Sequence, residues 1–95
     1  MTARWHPDAL AEAYAAAEFY RDKRRELARR FLNSLDEVLN RIELHPHIYR
    51  EIEPGVRKCR LKTFPYAVIF RDGRALEILA VMHLRRHPGY WKDRA

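Results

Sequence analysis

From Pro7 to Leu44 the chain runs through strong helix formers without one glycine or internal proline. As a single helix this stretch would be about 57 Å long at 1.5 Å per residue. A folded domain of 95 residues has a radius of gyration of only about 12–13 Å. The stretch must therefore turn back on itself as an antiparallel helical hairpin. The expected turn lies at residues 22–26, around Asp22-Lys23-Arg24-Arg25. One straight helix is the alternative, and it would need an oligomer to support it.

The first helix starts at His6-Pro7-Asp8, where proline suits the first helical position and Asp8 meets the positive end of the helix dipole. Leu10, Ala13, Ala17 and Tyr20 recur at helical spacing, with Tyr14 beside them, and mark the core side. The second helix presents Leu27, Ala28, Phe31, Leu32, Leu35, Val38, Leu39 and Ile42 as a wide apolar stripe. It should end near Leu44, because His45-Pro46 resists continuation.

Strands flank this pair. Ala3 to His6 reads as a short edge strand anchored by Trp5. A loop with Pro46, Pro54 and Gly55 follows the helices. Val56 to Lys62 then places Arg57, Cys59 and Leu61 on one face and Lys58, Arg60 and Lys62 on the other. Tyr66 to Phe70 is the next strand, and Asp72-Gly73 is the strongest hairpin signal in the chain. Leu76 to Met82 is almost unbroken apolar, as expected of a strand buried on both faces at the centre of a sheet. The order is β-α-α-β-β-β. It predicts a single α+β domain over residues 1–95, with two layers: the helical hairpin packed on a small, mainly antiparallel sheet.

No apolar run approaches the roughly 20 residues that span a bilayer, and Met1-Thr2-Ala3-Arg4-Trp5 lacks a signal-peptide pattern. The one cysteine, Cys59, rules out an internal disulfide and suits a reducing compartment. A cytoplasmic protein without membrane contact is expected. Nineteen Lys and Arg against thirteen Asp and Glu give a net charge of +6. That balance favours a polyanion or an acidic protein as partner.

Two groups carry candidate chemistry. Lys58, Arg60 and Lys62 would project from one strand face roughly 7 Å apart, fit for phosphates or acidic side chains. The same row also suits the solvated face of an edge strand, where lysine blocks unwanted pairing. The second group closes the long apolar strand: His83, Arg85, Arg86, His87, Tyr90 and Trp91. An arginine there clamps an anion, a histidine exchanges a proton near neutrality, and a tyrosine stacks on a base or donates its hydroxyl. These are the parts of a ribonuclease site; they are equally the parts of a cap over the end of the core. Cys59 reads as a small core residue. Neither the histidine spacing nor the scattered glycines suggest a metal site or a phosphate loop, and no cofactor is expected.

The element order, His6-Pro7-Asp8-Ala9, Gly55-Val56-Arg57, Phe64-Pro65-Tyr66, and Ala80-Val81-Met82-His83 running into Arg86-His87-Pro88-Gly89-Tyr90-Trp91 together resemble the RelE/ParE superfamily of type II toxin–antitoxin toxins. The resemblance covers essentially the whole chain. It implies a small basic toxin neutralised by an acidic antitoxin, reaching operator DNA only within the antitoxin complex. RelE-like members cleave mRNA on the ribosome; ParE-like members have no known nuclease activity and poison DNA gyrase. By register, Lys58 and Arg60 match the RelE-like basic second-strand positions, Tyr90 the C-terminal tyrosine and Arg86 a nearby cation. The third-strand arginine falls at Ala67, which cannot neutralise charge. The resemblance therefore leans to ParE. In that reading Arg57, Lys58, Arg60, Lys62, Arg85 and Trp91 contact target or antitoxin, gathered around one cationic pocket. In the RelE-like alternative, an endoribonuclease, His83, Arg86 and Tyr90 are catalytic. A third reading is a nucleic-acid-binding domain without toxicity.

Overall fold

The helical run breaks at a single residue. In the computed structural model, which describes residues 3–95, α1 (Pro7–Lys23) and α2 (Arg25–Leu44) are separated by Arg24 alone, extended at φ −162° and ψ 140°. The opening Met1-Thr2, read above for targeting signals, lies outside the described residues. The reversal leaves little backbone unpaired. Arg24 N–H donates to the Tyr20 carbonyl at 2.9 Å, and Leu27 N–H donates to the Arg24 carbonyl at 3.0 Å. At the start of α1 the His6 ring serves as the cap, its Nδ1 accepting the Asp8 N–H at 3.1 Å.

The strands are β1 (Arg4–Trp5), β2 (Arg50–Glu53), β3 (Val56–Arg60), β4 (Tyr66–Asp72) and β5 (Leu76–His83), in the sheet order β1-β5-β4-β3-β2. Among the described residues only the β1–β5 pairing is parallel. The two-layer α+β architecture is as the sequence indicates, with one strand more. Arg50–Glu53, expected as loop, is the edge strand β2. It forms a two-residue hairpin with β3 through Pro54-Gly55. Gly55 has φ +78°, as the third residue of a type II turn requires, and its N–H donates to Glu51 Oε2 at 2.6 Å. The added strand makes β4 the middle of the sheet, so β5 is second from the edge rather than central. β3 stops at Arg60, short of Lys62. The Asp72-Gly73 hairpin forms through a three-residue loop, Gly73 to Ala75, without a left-handed glycine.

Both faces of β4 and β5 are covered. Towards the helices lie Val68, Phe70, Ile78 and Val81, packed with Phe31, Leu35, Val38 and Ile42. Phe31 meets Phe64 and Tyr66 edge-on at 5.4 and 5.3 Å between ring centres. Fully burying one such side chain is worth about 1.5–3 kcal/mol. From α1 the core receives mainly alanines: Ala9, Ala13, Ala16 and Ala17. The expected contribution of Leu10 and Tyr14 fails; they are 39% and 67% exposed. On the outer face, Val56, Ala67, Ile69, Leu79, Ala80 and Met82 lie under Trp91. The C-terminal tail supplies that cover, which explains the continuous apolar runs of these strands.

Candidate functional site

The site is built where β5 loses its neighbour. β1 pairs with β5 only at Arg4↔Glu77 and Trp5↔Ile78, and the chain then turns into α1. Opposite β4, Ala80 pairs with Ile69 and Ile78 with Phe70, so Leu79 is the extra residue of a bulge. The open edge offers the Leu79 carbonyl and the Val81 N–H. Two side chains take them. Arg94 Nη1 donates to the Leu79 carbonyl at 3.0 Å, and Glu12 Oε1 accepts the Val81 N–H at 2.9 Å.

Glu12 and Arg94 also hold each other, with guanidinium–carboxylate contacts of 2.9 and 3.0 Å. Their side chains are only 16% and 13% exposed, so the pair works in a poorly solvated place. The Tyr90 hydroxyl donates to Glu12 Oε2 at 2.8 Å. Burial, the Glu12 hydrogen bond and the Glu12 charge all push Tyr90 ionisation well above its ordinary range. The bond to Glu12 likewise stabilises the charged form of Arg94. The Tyr90 ring carries the Arg86 guanidinium 3.8 Å from its centre and that of Arg94 at 5.0 Å.

Arg86 has no carboxylate within 4 Å among the described residues. With His83 it borders a groove of about 230 Å³ between α1 and β5, which Ala15, Ala16, Phe19, Tyr66 and Val81 also line. His83 Nδ1 accepts the Arg85 N–H at 3.0 Å. Arg85 itself is exposed in the turn after β5.

The tail then crosses to the outer sheet face. Trp91 is buried there, and Lys92 Nζ reaches Glu53 at 2.9 Å. Between tail and sheet lies a cavity of about 250 Å³ bordered by Ile52, Lys58, Ile69, Met82, Trp91 and Lys92. Arg60, exposed, shares the Lys58 face. Arg57 points the other way and donates to the Tyr49 and His47 carbonyls at 2.9 and 3.4 Å. Lys62, past the end of β3, borders a separate hollow with Arg30 and Ser34 on α2.

The expected single cationic pocket is therefore not what forms. Strand alternation sends Arg57 away from Lys58 and Arg60, the early end of β3 releases Lys62, and the tail divides Lys58 from Arg86. Sequence reasoning also missed Glu12 and Arg94. They stand 82 positions apart, and no local pattern marks their meeting.

The chain matches the family model for the ParE toxin of the type II toxin–antitoxin system parDE over residues 3–88. Among solved structures it is similar to a chain of a chromosomal ParDE toxin–antitoxin system from P. aeruginosa. That likeness spans 87% of this chain and 95% of the other at 23% identity, with a TM-score of 0.74, and concerns the fold. No curated protein matches the sequence.

Proposed function

The chain belongs to the ParE toxin family of type II toxin–antitoxin systems, and on that premise we propose that it arrests growth by engaging DNA gyrase, without cutting nucleic acid, and that an acidic antitoxin neutralises it. The observation that carries this reading is the state of Tyr90. Its hydroxyl proton is committed to the Glu12 carboxylate at 2.8 Å inside a poorly solvated cluster, and burial and that bond raise its pKa, so it is turned away from any substrate. Ala67 adds to this. It is fully buried on β4, where the resemblance would require an arginine for a nuclease. Loss of one such charge stabiliser costs about 10²–10³ in rate.

Lys58, Arg60, Lys62 and Arg85 are the contacts we assign to target or antitoxin, since none has a carboxylate within 4 Å among the described residues. Arg57 and Trp91 serve indirectly, by tying down the loop before β2 and the tail. His83, Arg86 and Tyr90 have no catalytic part in this reading.

The test uses the purified chain. Supercoiling by gyrase should be inhibited, and primer extension on mRNA from arrested cells should show no new ends. Codon-phased cuts would return the RelE-like endoribonuclease. Growth undisturbed by induced expression would remove the toxin activity altogether and leave the nucleic-acid-binding reading.

A further inference from the structure

We propose that the groove between α1 and the end of β5 seats one aromatic or branched apolar side chain of the antitoxin, with a neighbouring antitoxin carboxylate on Arg86. This rests on the toxin reading and names where its acidic partner anchors. Ala15 and Ala16 leave room on the α1 side because alanine has nothing beyond Cβ, and Tyr66 and Val81 line it from the sheet. Phe19 forms a wall and is 53% exposed, a large aromatic left without cover. Such a surface favours an apolar side chain over a sugar–phosphate chain.

Charge complementarity selects the flanking residues of that partner. Arg86 borders one part of the groove, and Lys23 sits 5.0 Å from the centre of the Phe19 ring. Neither has a carboxylate within 4 Å among the described residues. Glu12 borders the groove too, but its oxygens already accept from Val81, Tyr90 and Arg94. The groove therefore faces its ligand with unanswered positive charge.

Arg86 is held ready for this. Its guanidinium carbon lies 3.8 Å from the centre of the Tyr90 ring, and the Tyr90 hydroxyl is fixed to Glu12. Tyr90 and Glu12 are positioning residues: they reduce the freedom Arg86 must give up when it forms a two-pronged bond to a carboxylate.

The experiment titrates the isotope-labelled chain with three end-blocked peptides, Glu-Asp-Phe-Glu-Asp, its Gln/Asn counterpart and its Phe-to-Ala counterpart. Only the first should shift the amides of Ala15, Ala16, Phe19 and His83. Arg86→Ala and Phe19→Ser should each weaken it about tenfold, the worth of one charge-assisted hydrogen bond or one half-buried ring. Arg29→Ala, an equal charge change on the exposed face of α2, should leave affinity unchanged. Tyr90→Phe should weaken binding with Arg86 present and do nothing in the Arg86→Ala background, an outcome that general loss of structure would not give. Shifts confined to the Lys58–Arg60 face, or equal binding of all three peptides, overturn the groove assignment. The gyrase and growth assays on the unaltered chain report separately on the toxin reading.

Discussion

At Glu12 one carboxylate accepts hydrogen bonds from β5, from the tail tyrosine and twice from the tail arginine. Removing it leaves the poorly solvated guanidinium with only the Leu79 carbonyl and Asp8, 3.9 Å away, and strands two donors. Glu12→Ala should therefore cost about 3–5 kcal/mol in urea unfolding, the range for breaking a buried pair from one side. Because that cost is the penalty for an abandoned partner, adding Arg94→Ala should cost far less than its single-mutant value. A double mutant whose losses simply add would show the two groups to be independent. None of this was legible in the sequence, since nothing near position 12 announces a partner at 90 or 94. Cys59 was legible: its alternation with charged neighbours places it inside, and it is 5% exposed. Burial raises its thiol pKa and suppresses the thiolate. A thiol reagent at pH 8 should leave it unmodified below the urea transition and label it in step with unfolding; labelling of the native protein would contradict that burial.

Among the elements, the two left-handed glycines allow a controlled comparison. Gly55 has φ +78° and nothing within 4 Å of where a Cβ would stand. Gly89 has φ +87° and would drive a Cβ to 2.9 Å from Lys92 Cε. Gly55→Ala should cost only the left-handed penalty of about 1–2 kcal/mol. Gly89→Ala should cost that and also push Lys92 off Glu53, loosening the tail over the outer face. In hydrogen exchange, the Gly89 variant should lose protection in β5 next to Trp91 while the Gly55 variant does not; matching profiles would mean that the tail tolerates the shift. The sequence located these elements unevenly. Helix length against domain size forced the break that Arg24 makes, although no residue there is a helix breaker. β2 was hidden because Arg50-Glu51-Ile52-Glu53 is mostly charged, as an exposed edge permits, and only Pro54-Gly55 betrayed its hairpin.

Across the whole molecule, tyrosines join the helix layer, the sheet and the tail. Tyr20, Tyr66, Tyr49 and Tyr90 all have raised pKa values, chiefly through burial. In the unfolded chain each ionises near its ordinary 10.0. Above that pH the native state keeps protons that the unfolded state has released, so the slope of stability against pH is negative. The contribution of these tyrosines is complete below pH 10 and is lost as the pH climbs towards the native values. Relief of self-repulsion acts in the opposite sense, because the net charge of +6 falls as the pH rises. The tyrosines should prevail, since they lie inside contacts while the lysines are mostly exposed. The urea midpoint should be flat from pH 7 to 8, begin to fall near pH 9 as the unfolded Cys59 thiol ionises, and fall more steeply above pH 10; Tyr90→Phe should make only the steeper part shallower, by removing one of the four tyrosine protons. A midpoint that rose with alkali would mean that net charge, not the packing of these rings, governs the stability of this toxin.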